Sequence, residues 1–205
     1  MEAASAMDNG RENESQPETD EQLRNASLDE LKTLNRTVEI VDYDPIWPLT
    51  FQQEARRLRL ALGDRALRIE HVGSTSVPKL AAKPVIDIVL VVADSADEQS
   101  YAPALEALGY VLCIREPHWY EHRMLKGSIA RINLHCFSQG CVEVERMLLF
   151  RNWLRANEID RQLYEHTKRE LAARPWNYLQ DYANAKGSVV TEIMDRAQRN
   201  TSSRV

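Results

Sequence analysis

No apolar run in this chain approaches the ~20 residues that a membrane-spanning helix needs. The N-terminus lacks the basic-then-apolar pattern of a secretion signal, so a cytoplasmic address is expected. Cysteine is scarce as well. Three residues, Cys113, Cys136 and Cys141, fit reduced thiols rather than a disulfide framework. Without a secretion signal, the glycosylation-type triplets at Asn25 and Asn200 read as chance. There is no internal repeat and no basic stripe. Residues 1–35 hold 9 acidic and 3 basic side chains, which leaves 22 acidic and 23 basic groups for the remainder. The net charge of −5 therefore belongs to the N-terminal segment, and the near-neutral body argues against dedicated nucleic-acid binding. Neither a membrane nor an oligomeric state is indicated.

What is present is one domain's worth of chain: 205 residues, 43% hydrophobic and 28% charged. Residues 1–35 read as an acidic tail. Their polar composition cannot bury enough apolar surface to offset the entropy of ordering, so disorder is expected through about Asp20, with a short helix an option near Leu28–Leu34. Residues 36–198 read as the folded domain. Thr37–Asp42 alternates like a strand. Asp44 can cap and Pro45 can open a helix carrying Phe51, Ala55, Leu58 and Leu62 at helical spacing, with Gly63 as its stop. Strands are expected at Leu67–Val72, Val85–Val92, Tyr110–Arg115 and Arg131–Phe137. A helix is expected from Asp94 or Ser95 to Gly109, and His118–Leu125 is ambiguous. The last third reads as helices over Val142–Ala156, Ile159–Ala173 and Tyr182–Ala197. The fold class is thus α/β (α+β): a mixed sheet flanked by helices, with a helical C-terminal third.

Within this pattern one side chain is out of place. Asp87 sits in the run Val-Ile-Asp-Ile-Val-Leu-Val-Val, where a carboxylate is costly to desolvate unless it meets a cation, a donor or the floor of a cleft. A small-residue turn, Gly73-Ser74-Thr75, precedes that strand and allows close backbone approach to an anion. Along Arg131–Phe137, Arg131, Asn133 and His135 alternate with Ile132, Leu134 and Cys136, which places a polar, cationic face opposite an apolar one.

Five stretches carry a family resemblance: Val41-Asp42-Tyr43-Asp44-Pro45-Ile46-Trp47-Pro48, Ile69-Glu70-His71-Val72-Gly73-Ser74-Thr75-Ser76-Val77-Pro78, Ala82-Lys83-Pro84-Val85-Ile86-Asp87-Ile88, Asn133-Leu134-His135, and Leu149-Phe150-Arg151-Asn152-Trp153-Leu154-Arg155. In these the chain resembles the GrpB (UPF0157) family of nucleotidyltransferase-like proteins across residues 38–195. The resemblance implies a polymerase-β-like fold whose Gly-Ser turn holds nucleotide phosphates. It also implies two strand carboxylates, spaced Asp-x-Asp or Asp-x-Glu, for Mg²⁺ or another divalent ion. Gly73 and Ser74 match the turn and Asp87 the first acid, but the second acid's place is Val89. Lys79 stands where the family usually has Gly, and Asn152 where it favours Asp.

The expectation is a transferase acting on a nucleotide or another phosphorylated small molecule, with Asp87 and His135 catalytic. Gly73, Ser74, Thr75, Lys83, Arg131 and Arg151 would contact the phosphate. Rival readings are a non-catalytic nucleotide- or anion-binding accessory module and a His-dependent enzyme without a metal pair. His71 offers a second general base, and Asp87, His71 and His135 together could hold a transition metal. A Ser74–His135–Asp87 triad is disfavoured because the Gly-x-Ser-x-Gly elbow is missing. The resemblance also makes Lys168 and Lys186 cleft candidates, although a packed stem with an exposed ammonium is the commoner fate of such Tyr-x-x-x-Lys pairs. His118 with His122, and Cys136 with Cys141 beside His135, are discounted as metal sites.

Overall fold

A computed structural model describes residues 33–36, 38–128 and 130–202. Most of the acidic segment, and the disorder expected there, lies outside the described residues. Thr33–Arg36 forms a short strand, β1, so a helix reaching Leu34 is not what forms. Residues 38–42 then run with no strand pairing beyond an isolated bridge between Val41 and Ala82, in place of the strand expected over Thr37–Asp42.

Asp44 accepts a hydrogen bond from the Ile46 amide at 2.9 Å and begins α1 (Ile46–Leu62), which ends at Gly63 with φ 56°. Next come β2 (Arg68–Val72), a single 3₁₀ turn over Ser74–Ser76, and β3 (Ile86–Val92). The helix expected from Asp94 contracts to α2 (Ala102–Ala107), since Pro103 supplies a natural first turn. The ambiguous segment resolves as a hairpin strand: β4 (Tyr110–Glu116) is followed by β5 (His122–Gly127) and β6 (Ile132–Ser138). The C-terminal third holds α3 (Val142–Ala156), α4 (Glu158–Ala172), β7 (Trp176–Tyr178), α5 (Leu179–Ala185) and α6 (Gly187–Ser202). The continuous helix expected from Tyr182 is therefore two helices that part at Lys186.

Five strands form one mixed sheet in the order β2-β3-β6-β5-β4, parallel only between β3 and β6. Period-two alternation divides its faces. Ile86, Ile88, Leu90 and Val92 join Leu134 and Cys136 beneath α1 and α2, packed on Trp47, Ala55, Leu58 and Leu105. Val72, Val89, Val91 and Phe137 face Val144 and Leu148 of α3. Each such fully buried aliphatic contributes roughly 1.5–3 kcal/mol, so β3, buried on both faces, anchors the sheet. A third cluster, Val77, Leu80, Leu154, Tyr164 and Ile193, ties α3, α4 and α6 to the loop after β2. No helix among the described residues is long and apolar enough to cross a membrane.

Candidate functional site

The Gly73 turn has to approach β3 closely. Gly73 adopts φ 66° and ψ −175°, and a Cβ built on it would lie 2.5 Å from Asp87 Oδ2. Only glycine tolerates both the backbone and the contact. Arg155 of α3 clamps the turn from behind, with Nε and Nη2 donating to the Ser76 carbonyl at 3.0 and 2.7 Å. Lys79, further along the loop, keeps φ at 68°, so a lysine occupies the left-handed conformation that a glycine would favour.

The parallel register of β3 and β6 sets Asp87 beside Asn133 and Val89 beside His135. All four side chains face away from α1. Asn133 Nδ2 donates to Asp87 Oδ1 at 2.9 Å, and His135 Nε2 stands 3.7 Å from the same oxygen. The Asp87 side chain retains 29% exposure, so the carboxylate opens onto a cleft and is not sealed in the core. That cleft is about 580 Å³, with Gly73, Ser74, Thr75, Lys83, Asp87, Asn133 and His135 on the sheet side, and Arg146, Lys168, Tyr182 and Lys186 on the helical side. Arg146 is already held by Glu143 at 2.7 and 3.0 Å.

Three lysines thus line the cleft that holds one carboxylate. Lys168, on α4, is 2% exposed; its Nζ donates to the Ala81 carbonyl and lies 4.7 Å from the Tyr164 ring centre. Burial pushes its ammonium down to about 7, with the neighbouring Lys186 charge adding to the shift. Lys186 lies 4.5 Å above the Tyr182 ring, and burial takes it down to about 8 against the pull of Asp87. Lys83 is lowered as well, again mainly by burial. Among the described residues, the Tyr182 hydroxyl is a buried side-chain polar atom with no hydrogen-bond partner. An unsatisfied donor in a lysine-lined cleft is what an anion's oxygen would complete.

Several expected site residues lie elsewhere. His71 points to the opposite face of the sheet, stacked on Phe51 of α1 with ring centres 4.8 Å apart. Its Nε2 meets Thr75 Oγ1 at 3.1 Å, and that hydroxyl donates to the Val85 carbonyl. Burial pushes this imidazole down to about 4, so it is a neutral strut of the turn. Asp87, His71 and His135 are therefore not assembled as a ligand set, and among the described residues no group of three His, Cys, Asp or Glu side chains is arranged to hold a metal. Arg151 does not line the cleft: its Nη1 donates to Glu70 Oε2 at 2.8 Å and to the His71 carbonyl at 2.9 Å, while Nε donates to Asn152 Oδ1. Arg131 is 69% exposed and lies 3.7 Å from Glu39. Ser74 shares a side-chain hydrogen bond with Tyr164.

The sequence reading missed Glu116 and weighed His122 only as a discounted metal partner of His118. His122 Nε2 meets His135 Nδ1 at 3.0 Å, and His122 Nδ1 pairs closely with Glu116 Oε2. Both partners follow from strand register: β4–β5 pairing sets Glu116 opposite His122, and β5–β6 pairing sets Met124, two residues along from His122, opposite His135.

A divalent-metal pair does not fit this donor set. Mg²⁺ needs several oxygen ligands; the cleft lining offers a single carboxylate among lysines. Val89, at the second acid's place, is fully buried under α3.

The profile of the GrpB protein family matches residues 37–196. The chain belongs to the GrpB family. A UPF0157 protein of Halalkalibacterium halodurans is 56% identical over 183 residues, covering 89% of this chain and 94% of that one. The crystal structure of the conserved protein GrpB from Enterococcus faecalis superposes with a TM-score of 0.71 at 32% identity, covering 80% of this chain and 99% of that one. A dephospho-CoA kinase of Mycolicibacterium paratuberculosis is 30% identical over 175 residues, covering 73% of this GrpB chain and 43% of the kinase.

Proposed function

We propose that this GrpB protein is a transferase acting on a nucleotide or another phosphorylated small molecule, and that it works without a metal pair. The observation that carries this is the cleft composition: Lys83, Lys168 and Lys186 converge on a space whose one carboxylate, Asp87, sits against His135. Lysines neutralise phosphate charge where a nucleotidyltransferase would use ions. The orphan Tyr182 hydroxyl supplies a further donor. His135 is the acid–base group, and Asp87 orients it and the ligand. The Gly73–Thr75 turn forms the cleft edge nearest Asp87, where small residues let a phosphate approach the backbone.

The test is a calorimetric screen of the four common nucleoside triphosphates and pyrophosphate, each with a chelator and with Mg²⁺ or Mn²⁺. Binding that survives chelation, weakened roughly tenfold or more by Lys186→Met through the loss of one buried charge pair, is expected. Absence of binding under every condition sinks the proposal. A second reading, an anion-binding accessory module, is favoured by the likeness to part of a dephospho-CoA kinase. Binding without any phosphorus-containing product in ³¹P NMR, with candidate acceptor alcohols and amines supplied, selects that reading.

A further inference from the structure

The His135 ring is held from behind by a chain of hydrogen bonds that crosses three strands. Glu116 Oε2 on β4 pairs with His122 Nδ1 on β5, His122 Nε2 meets His135 Nδ1 on β6 at 3.0 Å, and His135 Nε2 faces Asp87 Oδ1 on β3 at 3.7 Å. The middle of the chain is sealed. His122 is 4% exposed, stacked on Phe137 at 4.8 Å and edge-on to Trp119 at 5.2 Å.

We propose that Glu116 and His122 are positioning residues that fix the tautomer of His135, placing its proton on Nδ1 and its lone pair on Nε2 toward the cleft. The proposal rests on the acid–base role given to His135 above and supplies the device behind it. In the proposed arrangement Glu116 is the acceptor of this pair, with the shared proton carried on His122 Nδ1. Enclosure at 4% exposure between Phe137 and Trp119 disfavours a charged His122, with the His135 and Arg123 charges pressing the same way, and this leaves its Nε2 a bare acceptor. His135 Nδ1 must then be the donor, and a neutral His135 presents the lone pair of Nε2 to the cleft.

The groups around that lone pair suit a base. The 3.7 Å to Asp87 is too long for a direct hydrogen bond, so the Nε2 lone pair is open to a ligand hydroxyl entering from the cleft. When such a hydroxyl loses its proton, the O–H bond breaks, the new N–H bond forms at Nε2, and oxygen keeps the electron pair. The imidazolium then has Nδ1–H on His122 and Nε2–H toward Asp87, whose Oδ1 is steadied by Asn133. The same arrangement recurs in catalytic sites where a histidine's tautomer is set by the bond its other nitrogen makes.

Two substitutions separate positioning from packing. In His122→Gln the side-chain carbonyl falls near the original Nε2 and can still accept from His135. In His122→Asn the amide falls near Nδ1, keeps Glu116 company and leaves His135 without a partner. ¹⁵N NMR of ring nitrogens in the full-length protein at pH 8 reads the outcome. Expected are a pyrrole-type Nδ1 and a pyridine-type Nε2 for His135 in the unmodified protein and in His122→Gln. In His122→Asn the proton should shift toward Nε2. A His135 that carries its proton on Nε2 in the unmodified protein, or an unchanged tautomer in His122→Asn, overturns the proposal. Sulfate affinity, measured alongside, reports the lysine cleft; its loss would sink the phosphorylated-ligand reading while leaving the tautomer result to stand or fall alone.

Discussion

Anion binding to this cleft should draw protons from solution. In the free protein burial holds Lys168 at about 7 and Lys186 at about 8, so at pH 8.5 both are largely neutral. Other groups act on these amines: Asp87 and Lys83 on Lys186, Glu165 and Arg169 on Lys168. A dianion between them restores both to their ordinary range, and the two then take up roughly 1–2 protons per anion bound. Sulfate is the right probe because it stays a dianion throughout. Titration calorimetry at pH 8.5 in buffers of different ionisation enthalpy measures the proton number directly. Affinity should fall roughly ten- to a hundredfold per pH unit above pH 8, since the proton-bound form is the one that binds. Folding stability gives a second readout with the opposite sense. The native state releases the Lys168 proton near pH 7 while the unfolded chain holds it until about 10.5. The unfolded state thus binds more protons over that window, and stability rises with pH through it. Relative to Lys168→Met, the gain between pH 7 and 9 is about 2 kcal/mol. Sulfate binding with no proton uptake, or uptake that persists when both lysines are methionine, refutes the reasoning.

Two backbone predictions have opposite signs. Gly73→Ala, forced into a glycine-only conformation and against Asp87 Oδ2, should cost about 2–4 kcal/mol in urea unfolding; a change below about 0.5 kcal/mol would show that the turn relaxes freely. Lys79→Gly relieves a non-glycine φ of 68° and should raise stability by about 0.5–1 kcal/mol in the same assay.

The parts of this structure legible in the sequence are those governed by period. Alternation along β6 put Asn133 and His135 on one face, and the register with β3 brings them to Asp87, as the isolated carboxylate suggested. The helices α3 and α4 were visible in their spacing. The β4–β5 hairpin was hidden by its turn. Tyr120 and Glu121 carry φ of 52° and 51°, positions where hairpins ordinarily advertise themselves with Asn or Gly. Without that signal the pairing of Glu116 with His122 had no register, and the support behind His135 stayed out of view. Arg151 shows the converse limit. An arginine beside a motif reads the same whether it meets a ligand or clasps the strand that carries the motif, and here it clasps Glu70 and the His71 carbonyl.

The exchange of a second carboxylate for Val89 then has a packing logic. An acid there would be desolvated beneath Val144 and Leu148 of α3 with Glu70 as its cross-strand neighbour, which costs several kcal/mol unless a metal or another cation compensates it. Val89 instead adds to the apolar seam that docks α3, and α3 in turn supplies Arg155 to the Ser76 carbonyl and Arg151 to β2. The substitution that removes a metal ligand therefore steadies the turn from behind. In the proposed transferase the charge that a metal pair would contribute comes from the helical wall opposite, where Lys168 and Lys186 stand. Unlike a bound ion, these amines can shed their charge when the cleft is empty, because burial already brings them near neutrality. A lysine-lined version of this site thus couples its positive charge to the arrival of its ligand.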